Sequence, residues 1–445
     1  MDSGTPPPAD RLFEPIRQFA EKEAAGGILL VICTIIAMIW ANSPWSESYF
    51  HLWETKITVG FQNFNLTEPL HLWINDGLMA VFFFVVGLEI KREILVGELS
   101  NFKQAILPIA GAFGGMVVPA LLFTYFNYGL ESSHGWGIPM ATDIAFAVGI
   151  LALLGKRVPL SLKVFLTALA IADDIGAVLV IALFYTSKIV WFDLFLGAGF
   201  LGILVAGNWA GIRNPIFYGI FGIGGLWIAF LLSGVHATVA GVLAAFAIPA
   251  RTRINARDFL KMGRVYLNDF ETADEPQANV LSNRNQLRAI NHIASACEHA
   301  QTPLQRLEHA LHPYVTFFIM PLFALANAGV AFTNQEIGGA ILNPISLGIL
   351  SGLFLGKQVG IFSFTWLVVK LKWAELPSRI RWRHIYGTAI LGGIGFTMSL
   401  FVTDLAFKHP EMKDMAKIGI FVASLLSAIV GLLVLKAMFR HNAEE

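Results

Sequence analysis

Two adjacent carboxylates, Asp173 and Asp174, lie inside a long apolar stretch of the sequence, residues 160–185. A helix rises about 1.5 Å per residue, so this stretch can cross a hydrocarbon core of about 30 Å with both acids near its middle. An ionised carboxylate at that depth costs several kcal/mol unless it meets water, a cation or a partner charge. The doublet therefore indicates a cation or proton site, with a structural ion pair as the alternative.

Two other apolar stretches are interrupted near their middle. In residues 135–154, Pro139 lacks a backbone donor and is followed by Thr142 and Asp143, where a spanning helix should be continuous. In residues 384–405 the interruption is a group of glycines, Gly392, Gly393 and Gly395. Close helix packing explains such glycines, but paired interruptions favour two broken helices at an ion site. Their N-termini attract an anion such as Asp143, and their C-termini attract a cation.

Lys357, in the predicted span 345–371, is the one basic residue that a count of the two membrane sides leaves inside the membrane, and it has the sign that helix C-termini attract. It can also pair with one member of the carboxylate doublet. Because successive helical residues point about 100° apart, Asp173 and Asp174 cannot both face the same partner. We therefore expect one of them to face Lys357 and the other to face a water-filled cavity.

The composition is that of a membrane protein. Apolar residues make up 56% of the chain and charged residues 14%, with a mean hydropathy of +0.63. The two cysteines exclude a disulfide framework, and the net charge of zero indicates no nucleic-acid partner. Residues 1–23 lack the apolar core of a signal peptide. No phosphate-binding loop and no HExxH motif occurs, so we expect no cofactor and any transport to be driven by a gradient.

We predict an all-α polytopic membrane protein with about 12 transmembrane helices, numbered as segments 1–12. The apolar stretches are 24–42, 70–95, 105–126, 135–154, 160–185, 191–210, 215–232, 234–249, 313–331, 345–371, 384–405 and 417–438. Tails at 1–23 and 439–445 flank this transmembrane domain, 24–438. Counted on alternate sides, 25 basic residues fall on one side and 5 on the other, so both termini are predicted to be cytoplasmic.

Two connections are long. Residues 43–69 are predicted to lie outside, and 55–66 nearly alternate apolar and polar residues around Gly60, which predicts a β-hairpin, with irregular coil as the alternative. Exposed strand edges pair readily, so we expect this hairpin to join two copies in a homodimer. The cytoplasmic connection, 250–312, carries 8 basic and 7 acidic residues, and its middle, 272–285, is predicted to be disordered.

Titratable residues cluster at the predicted cytoplasmic end of segment 2. Glu89 and Glu93 share a helix face, and Arg92 is placed to reach Glu89. Histidine titrates near neutrality, so His236, His309 and His312 are candidates for pH sensing. A charged cap at the membrane surface and ordinary interface histidines are the alternatives.

Five motifs together resemble the NhaA family of bacterial Na⁺/H⁺ antiporters, and the similarity extends from about Glu14 to Lys436. The motifs are Ala-Thr-Asp-Ile-Ala-Phe (141–146), Ala-Asp-Asp-Ile-Gly-Ala (172–177), Gly-Val-His-Ala-Thr (234–238), Leu-Gly-Lys (355–357) and Gly-Ile-Gly-Phe-Thr-Met-Ser (393–399). The resemblance implies inverted repeats, segments 3–5 and 10–12, whose broken members, segments 4 and 11, cross at mid-membrane.

The resemblance implies an electrogenic, pH-regulated exchange of internal Na⁺ or Li⁺ for external H⁺ in the bacterial inner membrane. It implies a Na⁺ site at Asp174 with Asp173 beside it. Asp143 and Lys357 would compensate charge where the unwound helices cross, and Thr142 would support the unwound chain.

The resemblance also implies a pH-response cluster at the cytoplasmic end, made of Glu89, Arg92, Glu93, Glu308, His309 and His312, with His236 linked to the same response. The connection 250–312 is longer than is usual for the family, which puts the familiar form of pH regulation in doubt.

Two other functions are compatible with parts of this pattern. A Na⁺-coupled symporter for organic anions has a similar fold but needs a larger polar cavity. A membrane aspartyl protease needs two carboxylates on separate helices that share a proton. The doublet lies on one helix, and the Gly-x-Gly-Asp context typical of such proteases does not occur. We therefore predict a transporter rather than an enzyme.

Overall fold

The computed structural model describes residues 25–61, 64–186, 189–273, 283–331, 339, 341–377 and 380–441. Within them the chain is helical almost throughout, with a single two-stranded sheet. The predicted N-terminal tail, 1–23, and the end of the C-terminal tail, 442–445, lie outside the described residues. The all-α class is confirmed.

The helices follow one another along the chain. They are α1 Ala25–Ala41, α2 Ser46–Glu54, α3 70–96, α4 Phe102–Phe126, α5 Ile144–Leu153, α6 Leu160–Phe184, α7 Trp191–Trp209, α8 Pro215–Ser233, α9 Ala237–Ala247, α10 Ala256–Thr272, α11 Arg284–Ala300, α12 Pro303–Asn327, α13 Pro344–Lys370, α14 Trp382–Leu391, α15 Phe396–Ala406 and α16 Pro410–His441. Turns of 3₁₀ helix occupy Glu98–Ser100, Glu131–Met140 and Gly155–Arg157.

Seven of the described helices are long and apolar enough to cross a membrane, or up to ten spans if each of three bent pairs counts as one. Two of these pairs are the interrupted segments 4 and 11. The 3₁₀ segment Glu131–Met140 meets α5 at 42°, and α14 meets α15 at 48°. The chain is therefore an all-α polytopic membrane protein, and the number twelve stays a prediction.

Helix α9 is shorter than the predicted segment 234–249. Gly234 makes the turn after α8 with φ +80°, a left-handed conformation that glycine adopts without strain. His236 then precedes α9, and the backbone becomes extended again at Ile248. The helix has 11 residues, about 16 Å, which alone is half of a hydrocarbon core.

The predicted hairpin is present, but its position differs. Strands β1 (Lys56–Phe61) and β2 (Phe64–Pro69) pair in antiparallel register from Lys56–Pro69 to Phe61–Phe64. Gly60 lies inside β1 opposite Asn65 rather than at the turn. The strand is exposed over much of its length, so packing does not exclude a glycine there. Helix α2, within the connection 43–69, was not predicted.

The connection 250–312 holds two helices, α10 and α11, which pack against each other. The prediction of disorder over 272–285 is wrong at both ends, because α10 extends to Thr272 and α11 begins at Arg284; residues 274–282 lie outside the described residues. Asn255 and Asn283 cap the two N-termini by accepting backbone hydrogen bonds. These caps fix where the two exposed helices begin.

Helix α12 begins at Pro303, ten residues before the predicted start of segment 9 at 313. Thr302 and Gln305 form a capping box, which fixes this start. Pro313 lies inside the helix and is followed by a π-helical turn, Val315–Ile319, in which the missing donor is accommodated. Glu308, His309 and His312 are therefore part of the helix rather than residues that precede it.

Helices α4 and α13 cross in direct backbone contact. A Cβ atom on Gly114 would lie 2.3 Å from the carbonyl oxygen of Gly360, and a Cβ atom on Gly360 would lie 2.1 Å from that of Gly114. Only glycine permits this approach. Small residues at helix crossings are the usual means of packing in a bilayer, where apolar surface alone drives no association.

Candidate ion site at the crossing of two broken helices

The interruptions of segments 4 and 11 contact each other at the centre of the bundle. The Thr142 hydroxyl donates to the carbonyl of Gly392 (2.8 Å), and the Asp143 amide donates to the carbonyl of Ile394 (2.7 Å). Each interruption thus satisfies backbone or side-chain polar groups of the other. Unwound backbone is tolerated at this depth because it is buried in protein.

The glycines of segment 11 lie where the helix is interrupted, and they also allow close packing of neighbouring elements. Helix α14 ends at Leu391, and α15 begins at Phe396. A Cβ atom on Gly393 would lie 2.5 Å from the carbonyl oxygen of Leu353, and one on Gly392 would lie 2.7 Å from Ile361. A Cβ atom on Gly395 would lie 2.3 Å from Ser399 Oγ. Helix interruption and close packing are therefore both present at this position.

Asp143 lies at the N-termini of two half-helices. Its Oδ1 accepts from the amide of Phe146 at the start of α5 (3.0 Å), and its Oδ2 accepts from the amide of Thr397 at the start of α15 (3.2 Å). The Thr397 hydroxyl donates to the same oxygen. Each helix N-terminus carries about half a positive charge, so this buried carboxylate has partners of the right sign.

Lys357 pairs with one member of the doublet, and that member is Asp173. Its Nζ lies 2.6 Å from Asp173 Oδ2 and 3.0 Å from the Thr142 hydroxyl oxygen, and both charged side chains are fully buried. Within the described residues Lys357 makes no direct hydrogen bond to a helix C-terminus. Instead Thr142 lies between them, since its hydroxyl donates to Gly392 at the end of α14. A π-helical turn, Ser351–Gly356, immediately precedes the lysine.

Asp174 faces a cavity of about 120 Å³, which we call the ion-site cavity. Its lining includes Thr142, Asp143, Thr397, Glu89 and His312. Asp173 Oδ1 and Asp174 Oδ1 are buried and have no hydrogen-bond partner within the described residues. Carboxylate and hydroxyl oxygens are the ligands that hard cations such as Na⁺ prefer.

The charges of this site do not balance. Asp143, Asp173 and Asp174 bring three carboxylates to the crossing, and Lys357 brings one ammonium group. If all four groups are ionised, two positive charges are missing, and helix N-termini supply only part of them. The site can therefore accept a cation or protons. Release of the cation favours binding of protons, and release of protons favours binding of a cation.

Of the acidic and basic residues predicted for pH response, Arg92, Glu93 and Glu308 form a group of ion pairs, whereas Glu89 lies elsewhere. Arg92 pairs with Glu308 (2.7 Å) and with Glu93 (3.2 Å), and not with Glu89 as predicted, because α12 brings Glu308 within its reach. Glu308 is buried, and its Oε2 has no hydrogen-bond partner within the described residues. Glu89 instead lines the ion-site cavity.

The three predicted histidines have different surroundings. His312 lines the ion-site cavity, whereas His309 is exposed and bonds through Nδ1 to the carbonyl of Gln305 (2.8 Å). His236 bonds through Nε2 to the carbonyl of Tyr185 (2.7 Å). Tyr185 follows the last residue of α6, eleven positions after Asp174, or about 16 Å along the helix axis. His236 therefore lies apart from the other predicted pH-response residues.

Thr397 is a site residue that sequence reasoning missed. It follows the last glycine of segment 11 by two positions, so it lies in the first turn of α15, where hydroxyl and amide groups face an incoming anion. The signal available in the sequence was its position directly after the glycines that interrupt segment 11.

Comparison with known proteins gives consistent results over the full chain. Residues 17–435 match a family model described as Na⁺/H⁺ antiporter 1. A relative from Oleidesulfovibrio alaskensis, described as the Na⁺/H⁺ antiporter NhaA, is 51% identical over 100% of this chain and 98% of its own. One of the same description from Koribacter versatilis is 50% identical over 96% of this chain and 92% of its own. Another from Syntrophotalea carbinolica, described as NhaA 2, is 49% identical over 97% and 98%.

Proposed function

We propose a mechanism from the premise that this chain belongs to the NhaA family of Na⁺/H⁺ antiporters, as its motifs predicted. It is a multi-pass membrane protein that exchanges Na⁺ for H⁺. We infer further that the exchange is electrogenic and uses inward proton flow to export Na⁺ or Li⁺. The names of its relatives are those of transporters, and we assign it no enzymatic reaction and no cofactor.

The observation that carries the mechanism is the unequal pair of adjacent carboxylates. Asp173 is held by Lys357, whereas Asp174 faces the ion-site cavity with an unpartnered oxygen. We infer that Asp174 is the main Na⁺ ligand and that Asp173 and Thr142 lie next to the bound ion. Na⁺ and protons then compete for the same oxygens. If two protons exchange for one Na⁺, each cycle moves net charge.

Alternating access requires two bodies that move relative to each other. We propose that α4 to α6 and α13 to α16 form one body built of two inverted repeats, and that α1, α3 and α7 to α9, with α12, form the other. The reciprocal contact of Gly114 and Gly360 supports a two-fold relation between α4 and α13, since each glycine meets the other in the same way. With each of the two interrupted segments, 4 and 11, counted as one span, the helices of these two bodies make up the proposed 12 spans.

The orientation follows from the distribution of basic residues. The excess of Lys and Arg, 25 against 5, supports a cytoplasmic location for both termini and for α10 and α11. The β-hairpin then lies on the outer side of a bacterial inner membrane, and the ion-site cavity faces Glu89 and the cytoplasm.

We propose that pH regulation uses the residues around this cytoplasmic end. Arg92 joins α3 to α12 through Glu308, so a change in protonation there alters a contact between two helices that line the ion-site cavity. Glu93, His309 and His312 surround this contact. His236 acts from a separate position, through Tyr185.

A homodimer is the proposed assembly, and the hairpin is its proposed contact. Strand β1 is exposed over residues 56–60, β2 is exposed at Asn65 and Thr67, and each strand presents an edge, since the described sheet has two strands. Such an edge can add to the same edge of a second copy.

The experiment that tests the function is Na⁺-induced collapse of ΔpH in everted vesicles, scanned across pH. The unmodified chain should collapse the gradient on addition of Na⁺ or Li⁺, and K⁺ is the control salt. An organic-anion symporter would need a larger polar cavity than the ion-site cavity, which has a volume of about 120 Å³. The size of the cavity therefore favours antiport over symport of an organic anion. Absence of cation-induced collapse in correctly inserted protein would contradict the antiport mechanism.

A further inference from the structure

A polar cluster lies at the end of α3 opposite to Glu89. Asn75 donates to Asp404 Oδ2 (2.9 Å) and exchanges side-chain hydrogen bonds with Asn327 (2.8 and 3.2 Å). Asp404 Oδ1 accepts from Lys413. Asn75 is buried, and 14 positions separate it from Glu89, about 21 Å along the helix. The cluster and the cytoplasmic end of the ion-site cavity therefore lie far apart along α3.

This cluster joins the two bodies proposed above. Its two amide side chains come from α3 and α12, whereas its carboxylate and ammonium groups come from α15 and α16. A second hydrogen bond crosses the same boundary, from Lys417 Nζ in α16 to the carbonyl of Gly329 just after α12 (3.2 Å). Any movement of one body away from the other at this end must break both contacts.

An aromatic layer separates the cluster from the ion site. Phe401 is fully buried, and its ring centroid lies 5.3 Å from that of Phe83 and 6.3 Å from that of Phe323. On α15, Phe401 follows Thr397 by four positions and precedes Asp404 by three, so these three side chains share one helix face. A route outward from the ion site along this face meets the aromatic layer first and the polar cluster second.

We propose that Asn75 and Asp404 form an outer latch, a hydrogen bond that closes the outer side and must open before the ion site is exposed there. Asn327 orients the amide of Asn75, and Lys413 holds the second oxygen of Asp404. A hydrogen bond to an ionised carboxylate is stronger than one between neutral groups, so it can bias a two-state equilibrium. Asp404 is a positioning residue, because it acts on the state of the bundle and not on the ion.

Because the latch rests on the proposed function, its test first measures exchange. In a background with Cys33→Ser and Cys297→Ser, the pair Asn75→Cys and Asp404→Cys is reconstituted in proteoliposomes. Na⁺/H⁺ exchange before treatment shows that transport is intact. A short, reducible bifunctional thiol reagent is then added. Cross-linking should lower exchange by roughly tenfold or more, since one of the two states becomes inaccessible, and reduction should restore it.

The matched control joins two helices of the same body. Cross-linking Asp404→Cys to Lys413→Cys connects α15 to α16 and should leave the exchange rate at its untreated value. If the cross-link between positions 75 and 404 forms while exchange continues at the untreated rate, the latch does not open during transport and the proposal is wrong. Absence of exchange in the unmodified chain would instead reject the proposed function.

A second variant keeps the latch testable if the cysteine pair fails to fold. Asp404→Asn keeps the shape of the side chain and removes its charge, so the latched state should lose population. The apparent KM for Na⁺ should fall at the outer face and rise at the inner face, each by roughly threefold to tenfold. Glu131→Gln is the control, since Glu131 pairs with His409 (3.7 Å) in an exposed position within one body. Equal KM values in Asp404→Asn and the unmodified chain at both faces would overturn the proposal.

Discussion

Lys357 Nζ lies 2.6 Å from Asp173 Oδ2, and both side chains are fully buried. Removal of the lysine charge leaves an uncompensated carboxylate, which costs about 3–5 kcal/mol in buried pairs of this kind. Lys357→Ala should therefore lower the midpoint of thermal unfolding in detergent. Asp173→Asn combined with Lys357→Gln should recover much of the loss, because neither charge is then left alone. Purely additive losses in this double-mutant cycle would refute direct pairing.

Asp174→Asn should abolish Na⁺/H⁺ exchange in everted vesicles while the protein still inserts and unfolds at a similar temperature. The substitution removes the charge that offsets the dehydration of Na⁺, and it breaks no ion pair of the described residues. Asp258→Asn, on the exposed face of α10, is the control and should exchange at the unmodified rate. Na⁺ flux at the unmodified rate in Asp174→Asn would reject the assignment.

Competition for the same carboxylates predicts how pH affects the kinetics. Lowering the pH on the side where Na⁺ binds should raise the apparent KM for Na⁺ while the maximal rate at saturating Na⁺ stays nearly constant. Electrode-coupled membrane currents at several pH values and Na⁺ concentrations measure both quantities, and their voltage response tests charge movement. A maximal rate that collapses at acid pH and that added Na⁺ does not restore would exclude simple competition and direct attention to Arg92 and Glu308.

The β-hairpin offers a test of assembly that leaves the ion site intact. The amide of Leu70 donates to the carbonyl of Thr55 (2.9 Å), so the two ends of the hairpin are already adjacent. Replacing residues 56–69 by two glycines should convert the dimer to monomers that still exchange Na⁺ for H⁺. Light scattering in detergent and vesicle assays give the two readouts. A dimer population equal to that of the unmodified chain would place the contact elsewhere.

The central arrangement was accessible from the sequence because membrane burial makes each charged residue informative. A carboxylate at mid-span must have a partner, so Asp143, Asp173, Asp174 and Lys357 could be grouped without coordinates. Which member of the doublet faces the lysine could not be predicted, since helical geometry fixes the angle between neighbours and not the rotation of the helix. The choice of Asp173 depends on the rotation of α6, which its packing against α4 helps to set.

Outside the membrane the same reasoning was weaker. Arg92 has a sequence neighbour in Glu89, but its shortest ion pair, with Glu308, is to a helix more than 200 positions away. Helices α10 and α11 were missed because their polar composition resembles that of a disordered segment. Their apolar residues nevertheless recur at helical spacing, as in Phe259, Met262, Tyr266 and Phe270. In this connection the local pattern did not suffice, because burial did not restrict the choices.

The backbone contact of Gly114 with Gly360 fixes a length at the centre of the protein. Gly360 lies one turn after Lys357 on α13, and a Cβ atom on neighbouring Gly115 would lie 3.5 Å from Lys357 Cδ. The spacing of α4 and α13 thus sets where the lysine stem begins, one turn away from the glycine contact. A side chain at Gly360 would push α13 away from α4 and displace Lys357 with it. The geometry of the buried ion pair therefore depends on the absence of a side chain at a position one turn away.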